Sequence, residues 1–199
     1  ALSGGILFKR TTSTETRIED PNVVGRNVTL IARNGSVGTD RGQIVITDPE
    51  QLKDESVRIA LAAAEPDDVA VDPETGVVTV LLRDTIDVAA TGEITVEGKS
   101  HVYLGSRQPL YVKSVTSDGS IRIKGTDGLY SVSIDEQPVV RGGDTILEGG
   151  DGGIGTAENP FTLALKAGAT LVARAGQDIH LRETAGDIRV SQMFGLGDI

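Results

Sequence analysis

The chain has 199 residues, with 29 acidic and 19 basic side chains and a formal net charge of −10. This charge argues against a nucleic-acid-binding protein and against docking on anionic lipid, because both need a basic surface. The sequence contains no cysteine, which excludes disulfides and thiolate metal sites. Aromatic residues are scarce, with three Tyr, three Phe and no Trp, so aliphatic side chains must fill the core.

Apolar and polar residues alternate along most of the chain in short runs, which is typical of half-buried β-strands. Turn-forming residues separate these runs, as at Asn34-Gly35 and in residues 117–119 and 149–153. The alternation predicts which side chains face inward. The residues predicted to be buried are Val28, Leu30, Ile94, Val96, Val102, Leu104, Ile121, Ile123, Ile146, Ile154, Leu171, Ile179, Leu181, Ile188 and Val190.

Residues 47–85 interrupt this pattern and are interpreted as an insertion. Asp48 precedes Pro49 in a sequence typical of a helix start, where a side-chain oxygen caps the first amides and proline occupies the first turn. The apolar residues that follow suit one or two short helices. We therefore predict helix between about Pro49 and Ala64, outside the stacked strands. The most apolar run, residues 59–64, is too short to cross a bilayer, so we expect no membrane insertion.

Two pairs of segments realign with each other and indicate internal repetition. Residues 25–46 match residues 142–163 at an offset of 117, and residues 91–121 match residues 168–199 at an offset of 77 or 78. Since 117 minus 77 is 40, the first copy carries an insertion of that size. A repeat that cannot bury its apolar face alone must stack on its neighbours, as in a solenoid.

Short strands, glycine-rich turns and repetition together predict an all-β fold: a parallel, right-handed β-helix solenoid with a small helical insertion. We expect residues 1–199 to be one β-helix segment excised from a longer repeat array. At about 20 to 25 residues a coil, the chain outside the insertion would form roughly six to eight coils. A β-sandwich is the competing architecture, but it does not need long ungapped self-alignments.

No catalytic, cofactor-binding or metal-binding residues are assigned. There is no Gly-x-Ser-x-Gly nucleophile elbow, and the glycine run at residues 152–155 lacks the lysine of a phosphate-binding loop. Gly142-Gly143-Asp144 and Gly149-Gly150-Asp151 are similar to the calcium nonapeptide, but their glycine pairs are seven residues apart. Calcium is therefore the alternative to glycine turns with a solvated aspartate.

The histidines and carboxylates are the remaining candidates for catalytic groups. His101 aligns with Asp178 and His180 aligns with Tyr103 in the repeats, so neither copy keeps a histidine pair. Paired carboxylates would suit glycoside hydrolysis. Stacking of the coils would pair Asp144 with Asp178 and Asp127 with Asp151.

Four segments share a similar pattern of strand and turn residues: residues 27–39, 153–161, 175–181 and 185–190. They resemble the shaft repeats of filamentous haemagglutinin-like exoproteins, and the resemblance covers most of residues 20–199. These proteins are very large adhesins of Gram-negative bacteria, secreted or surface-bound and often exported by two-partner secretion. The family's secretion domain carries Asn-Pro-Asn signatures, and the nearest match here is Glu158-Asn159-Pro160-Phe161, so the resemblance implies a shaft and not a secretion domain.

The resemblance implies a structural and interaction segment of a secreted or cell-surface adhesin, acting as a rigid shaft for cell adhesion. Its partners would be surface molecules of host or neighbouring cells, bound through the parent protein, and flanking repeats. End-to-end self-association is also expected, because exposed strand edges pair readily. The outward residues expected to make weak ligand contacts are Tyr103, Tyr111, Arg122, His180 and Arg189.

The competing hypothesis is a polysaccharide-active β-helix enzyme, either a lyase or a hydrolase. Such an enzyme needs a groove lined by carboxylates and basic residues on adjacent coils. It also benefits from aromatic residues that stack on sugars. Because the chain has few aromatic residues and no clear catalytic constellation, we expect a protein without enzymatic activity and without a cofactor.

Overall fold

The computed structural model describes residues 21–64, 68–132 and 137–198. The chain divides into two compact units, of which the second is Thr39–Asp84 and the first is formed by the chain on either side of it. Each unit has its own apolar core. In chain order the elements are β1 (Val23–Gly25), β2 (Val28–Ala32), β3 (Thr39–Ile46), a 3₁₀ helix (Pro49–Lys53), α1 (Glu55–Ala63), β4 (Val69–Val71), β5 (Val78–Asp84), β6 (Ile86–Ala90), β7 (Glu93–Gly98), β8 (Val102–Ser106), β9 (Leu110–Ser117), β10 (Ile121–Gly125), β11 (Leu129–Ser131), β12 (Val140–Gly142), β13 (Thr145–Glu148), β14 (Phe161–Leu165), β15 (Thr170–Ala175), β16 (Leu181–Glu183) and β17 (Arg189–Gly195).

The first unit is a parallel β-helix, as the sequence predicts. The strands of successive coils stack side by side into two sheets. The first sheet has the order β1-β6-β8-β10-β13-β15-β17, and the second has the order β16-β14-β12-β9-β7-β2 with β11 beside β9. All of these strand pairs are parallel.

The coils differ in length, and most of the difference is absorbed in the loops. Ile94 pairs with Val112, which lies 18 residues later, whereas Thr145 pairs with Leu171, which lies 26 residues later. These values bracket the predicted length of about 20 to 25 residues. The register also shifts within two strand pairs, between Ile94 and Thr95 and between Leu171 and Val172.

A row of aliphatic residues shows how the core is built. Leu110, Leu129, Ile154 and Ile179 are successive parallel partners along one corner of the coils. All four are buried. Neighbouring coils are about 4.8 Å apart, so each side chain packs directly on the equivalent side chain of the next coil. Aliphatic side chains in rows of this kind fill the interior of the first unit.

Most of the burial predicted from alternation is confirmed. The buried ones are Val28, Leu30, Ile94, Val96, Val102, Leu104, Ile121, Ile123, Ile154, Leu171 and Ile179. The other four are Ile146 and Leu181, which are half-buried, and Ile188 and Val190, which are exposed. In β13 the inward residues are Thr145 and Leu147, so the phase of the alternation predicted for Ile146 is wrong by one residue. Ile188 and Val190 belong to the last described coil, where the described chain places no further coil over them.

The segments that align as repeats do not occupy equivalent positions in the β-helix. β2 lies in the second sheet, whereas β13, which aligns with it at the offset of 117, lies in the first sheet. The second alignment likewise matches β7 of the second sheet with β15 of the first sheet. Strands of both sheets show the same alternation, as β2 and β15 do, and many corners contain glycine. A self-alignment therefore matches strands without regard to the sheet that they form.

The second unit is an antiparallel sheet in the order β3-β5-β4, with the two helices. The helix predicted within residues 49–64 is confirmed. The Asp48 carboxylate accepts the Glu50 N–H at 2.8 Å, and the Asp48 N–H donates to Gln51 Oε1 at 2.9 Å. The core of this unit contains Ile46, Val57 and Val80. No helix within the described ranges is both long and apolar enough to span a membrane.

The second unit interrupts a single coil of the first unit. It begins at Thr39, earlier than the predicted residue 47, because β3 pairs with β5. Before the interruption Val37 pairs with Val102, and after it Ile86 pairs with Leu104. Val37 and Ile86 therefore contact neighbouring positions of the same strand, β8. The coil continues across the insertion with almost no change of register.

Candidate functional site

Two of the residues predicted to face solvent are buried, so that expectation is wrong for Tyr103 and Arg122. Their exposed fractions are 1% and 3%. The Tyr103 hydroxyl lies 3.0 Å from Ser120 Oγ, and its ring stacks on His101 with ring centroids 5.6 Å apart. Arg122 Nε donates to Glu148 Oε2 at 3.1 Å. Both side chains point outward but contact neighbouring side chains that cover them. The alternation of the sequence does not show which outward residues are covered in this way.

Ser120 and His101 form a serine–histidine contact that the sequence did not indicate. His101 Nδ1 lies 2.9 Å from Ser120 Oγ, because the residues that precede β8 and β10 stack one coil apart. The next coil places Asp144 at this position, where its carboxylate accepts from the Thr170 N–H at 2.8 Å. In a catalytic triad the acid binds the histidine, not the far side of the serine. This row therefore lacks the order of a triad and serves as a polar ladder between coils.

The remaining predicted contact residues are accessible. Tyr111 is 43% exposed and pairs in register with Tyr130, with ring centroids 5.8 Å apart. Tyr130, Gly155 and His180 occupy equivalent outward positions on three successive coils. Arg189 is exposed on β17. The structure thus brings Tyr111 and His180 onto one edge of the first unit, together with Tyr130.

The structure brings the two residues of one candidate carboxylate pair to stacked turns and places those of the other pair at different corners. The Asp151 N–H donates to the Thr126 carbonyl at 2.7 Å, so the turn of Asp151 stacks on the turn that contains Asp127. Asp144 and Asp178 lie at different corners, one before β13 and the other before β16. Among the described residues, no group of three His, Asp or Glu side chains is placed to hold a metal ion.

The glycine run at residues 149–153 forms corners that stack closely. Gly150 has a φ of 55°, in the left-handed region, and a Cβ there would lie 2.1 Å from the Thr126 carbonyl oxygen. A Cβ on Gly152 would lie 2.2 Å from the Asp127 carbonyl oxygen. Only glycine permits such an approach between backbones. This packing accounts for the glycine run.

A groove with a volume of about 750 Å³ lies on the outer face of the second sheet, across β12, β14 and β16. We call it the arginine groove. Its lining residues are Gln137, Pro138, Arg141, Ala164, Arg182, Thr184 and Ala185. Arg141 pairs in register with Ala164 on the next coil, whereas Arg182 pairs with Thr162, two residues before Ala164 on β14. The two arginines are therefore two coils apart, about 10 Å in the stacking direction, and are also offset along the strands.

One wall of the arginine groove is fixed by a buried threonine. Thr162 is 4% exposed, and its hydroxyl donates to the Gln137 carbonyl at 2.9 Å and accepts the Val139 N–H at 3.2 Å. These two bonds hold residues 137–139 against the sheet. Gln137 Oε1 in turn accepts from Arg141 Nη2 at 3.3 Å. The Arg141 side chain is thereby held at the rim of the groove.

The charge of the arginine groove is opposite to the net charge of the protein. The described residues that line it include two arginines and no carboxylate. Other basic side chains pair with acids, as Lys113 does with Glu93 at 2.7 Å. The hydrogen bond between Lys99 and Asp118 lowers the pKa of Asp118 and raises the pKa of Lys99. Arg141 instead contacts the neutral Gln137 amide, which leaves its positive charge uncompensated by that contact.

Sequence reasoning missed the residues that form this groove. Arg141 and Arg182 are the central residues of three-residue strands, and such strands are too short to show alternation clearly. In the sequence, an aliphatic residue directly precedes each arginine: Val140 precedes Arg141, and Leu181 precedes Arg182. Two similar dipeptides do not by themselves indicate that their arginines line one surface.

No matching protein-family model, curated protein or solved structure was found for this chain. Geometry and charge therefore decide which surface is the candidate site. They favour the arginine groove, because it combines a concave surface with side chains of one charge. The edge that carries Tyr111, Tyr130 and His180 is a second accessible surface, and these three residues do not line the arginine groove.

Proposed function

We propose that this chain is a rigid β-helical segment of a secreted or surface-exposed bacterial adhesin, similar to the shafts of filamentous haemagglutinin-like exoproteins. The observation that carries the proposal is the use of inward positions. In rows such as Leu129, Ile154 and Ile179 these positions hold fully packed aliphatic side chains. A core of this kind gives reach and rigidity, and it leaves only the outward positions for contacts with other molecules.

The proposed partners are surface molecules of host or neighbouring cells, together with further β-helical repeats stacked on the ends. The outer faces supply accessible residues for weak contacts, among them Tyr111, His180 and Arg189. Many weak contacts along a long shaft would add up through multivalency, since linked sites bind with a high effective concentration. The proposal thus does not need a tight site on a single segment.

Adhesion of the purified protein to cells tests this proposal. Beads carrying the biotinylated protein in many copies are incubated with bacterial and eukaryotic cells, and attached beads are counted. We expect saturable attachment to at least one cell type, and loss of attachment when the protein is heat-denatured before coupling. Attachment no greater than that of beads carrying an unrelated acidic protein would contradict the proposal.

A polysaccharide-active enzyme is the second candidate, and the arginine groove is the observation in its favour. It offers basic residues on nearby coils. Acid–base hydrolysis also needs two carboxyl groups at the scissile bond, and the described residues that line the groove include none. We therefore expect neither new reducing ends nor unsaturated products from acidic and neutral polysaccharides. Turnover that is abolished by Arg141→Gln would favour the enzyme.

A further inference from the structure

We propose that Asn34 is a site of spontaneous modification, where the side-chain amide is lost and the residue becomes a mixture of aspartate and isoaspartate. Asparagine is one of the thermolabile residues of proteins. Asn34 and Gly35 form the corner that follows β2, and Asn34 is exposed there. The reactant is water, so this inference does not depend on the adhesive role proposed above.

Among the asparagines of the chain, only Asn34 is followed by glycine. Loss of the amide begins when the backbone nitrogen of the next residue attacks the side-chain carbonyl carbon. Asn22 and Asn27 precede valines, whose branched side chains crowd that nitrogen. Asn159 precedes a proline, whose nitrogen carries no hydrogen to release. Gly35 has no Cβ, so its nitrogen is the least hindered of these.

Hydrogen bonds hold the side-chain amides of the other three asparagines. They join Asn22 Oδ1 to the Asp87 N–H at 2.9 Å, Asn27 Oδ1 to the Glu93 N–H at 3.3 Å, and Asn159 Nδ2 to the Ser131 carbonyl at 3.0 Å. The Asn34 amide makes no hydrogen bond with the described residues of the chain. Its side chain is therefore free to rotate towards the Gly35 nitrogen.

The nitrogen that attacks is only weakly held. The Gly35 N–H donates to the Ala32 carbonyl at 3.4 Å, which is longer than the usual range of about 2.7–3.2 Å for such bonds. This bond must break before the nitrogen can turn towards the Asn34 side chain. Because the bond is long and spans the exposed residues Arg33 and Asn34, local opening of the corner requires little free energy.

The reaction balances with water alone. Hydroxide removes the Gly35 amide proton, the nitrogen bonds to Asn34 Cγ, and the Cγ–Nδ2 bond breaks so that ammonia leaves with a proton from water. The product is a succinimide ring. Water then adds to one of its two carbonyl carbons. Opening of the bond from nitrogen to Cγ gives aspartate, and opening of the bond from nitrogen to the main-chain carbonyl carbon gives isoaspartate.

Isoaspartate would change the corner, because it carries the main chain through its side-chain carbons and so lengthens the main chain. The Lys99 N–H donates to the Ala32 carbonyl at 3.0 Å, and the Ser100 N–H donates to the Gly35 carbonyl at 3.1 Å. Asn34 lies between these two acceptors, so the lengthened chain cannot present both to the next coil in the present geometry. Both products also add a negative charge at neutral pH.

Peptide mass spectrometry tests the inference, after incubation of the full 199-residue chain at neutral and mildly alkaline pH. Trypsin cuts after arginine, so Asn22, Asn27 and Asn34 fall in different peptides. We expect the peptide that begins at Asn34 to gain about 1 Da as its amide becomes an acid. Its rate should increase with hydroxide concentration and be within about tenfold of the rate in an isolated peptide of residues 30–39.

The other three asparagines are internal controls, and their peptides should convert at least about tenfold more slowly. Gains of equal size in their peptides would show unselective hydrolysis and overturn the proposal. An unchanged Asn34 peptide, at a time when the isolated peptide has converted completely, would also overturn it.

Gly35→Ala tests the route, because the added Cβ crowds the attacking nitrogen and should slow the gain of mass about tenfold. Asn27→Asp is the matched control. It changes another exposed asparagine, before β2, and should leave the rate at Asn34 within about twofold. A rate unaffected by Gly35→Ala would show direct hydrolysis of the amide and overturn the ring intermediate.

An isoaspartyl carboxyl methyltransferase with labelled S-adenosylmethionine detects the second product. We expect label in the Asn34 peptide, in step with its gain of mass. The Asp-Gly pairs at 118–119, 127–128 and 151–152 can form the same linkage, but without a change of mass. At Asp118 the hydrogen bond from Lys99 lowers the pKa, which keeps the carboxylate ionised and a poor target for attack. Gain of mass without label at Asn34 would overturn the formation of isoaspartate.

Discussion

Ile154 illustrates how a single residue stabilises a β-helix. It is fully buried and lies between Leu129 and Ile179 in the corner row. Its backbone carbonyl also accepts the His180 N–H at 2.7 Å, so the residue joins two coils through both backbone and side chain. A cavity at this position would therefore be lined by side chains of three coils, which the packing around them cannot easily close.

Ile154→Ala is expected to lower the free energy of unfolding by about 2–5 kcal/mol, because it removes packed methylene groups and leaves a cavity. Urea denaturation followed by circular dichroism measures this change. Ile31→Ala is the control, since Ile31 is 45% exposed on β2 and its truncation should change the free energy by less than about 1 kcal/mol. Equal effects of the two substitutions would show that the corner row is not part of a close-packed core.

At the scale of elements, the insertion is the feature that separates most cleanly from the β-helix. Val37 and Ile86 contact neighbouring positions of β8, and the second unit forms its own core. The chain enters and leaves the insertion at almost the same place in a coil. The β-helix thus has no need of the inserted residues to keep its register.

We expect a variant in which Gly38 is joined directly to Ile86 to fold. Gly38 would lie opposite Tyr103 and Ile86 would keep its pairing with Leu104, so the coil would close without the insertion. The measurements are far-ultraviolet circular dichroism and cooperative urea unfolding. A variant without β-type dichroism or without a cooperative transition would show that the second unit is required for folding. Removing only residues 48–84 is less favourable, because it leaves β3 without its partner β5.

Ion pairs between coils form a second device at this scale. Lys166 Nζ donates to the Asp118 carbonyl at 2.6 Å and lies 3.7 Å from its carboxylate, and Lys99 binds the same carboxylate from the other side. The hydrogen bond from Lys99 is the main cause that lowers the pKa of Asp118 below its ordinary value of 3.8. The stabilisation by Asp118 is therefore complete above that value and is lost as the pH falls through the lower folded-state pKa.

Asp118→Asn should give a small decrease in melting temperature near pH 7, and this decrease should disappear as the pH falls through the lowered folded-state pKa of Asp118, below which the parent carboxylate is also neutral. The effect is small because the side chains are exposed and salt screens them. Melting curves at several pH values, with and without 1 M salt, measure it. Asp127→Asn, at an exposed corner, is the control. A decrease that is the same at all pH values would assign Asp118 a packing role instead.

At the scale of the whole molecule, the net charge and the exposed strand edge have opposite effects on self-association. In the described part of the chain β17 has a strand on one side only, and Val190 and Phe194 are 47% and 54% exposed there. An unpaired edge with apolar side chains favours pairing with another chain. The net charge of −10 repels a second copy, and this repulsion acts over about 10 Å at 0.1 M salt.

Self-association is therefore expected to increase with salt. Sedimentation velocity at several protein concentrations should show larger species at 0.5 M than at 0.05 M salt. Phe194→Glu should reduce them, because it places a charge at the exposed edge. Leu52→Glu is the control, since Leu52 is 44% exposed in the second unit, away from β17 in the sequence. Association that decreases with salt, or that is unaffected by Phe194→Glu, would exclude this edge as the interface.

The sequence by itself determined the class of fold and much of the core. Alternation has a period of two wherever a strand has one face in a core, and it identified residues such as Ile94, Ile121 and Leu171 correctly. Glycine clusters marked the corners because close or left-handed backbone needs them. The helix start at Asp48 was also readable, since a cap depends on a few neighbouring residues. All of these features depend on local chemistry.

Tertiary structure decided which strands stack and which outward residues meet. The register of the coils depends on loops of unequal length, so the self-alignment could not assign strands to sheets. Tyr103 and Arg122 alternate like exposed residues but are covered, whereas Arg141 and Arg182 come together from strands about 40 residues apart. A parallel β-helix places residues from distant parts of the chain side by side on its outer face, and the period-two pattern carries no information about those neighbours.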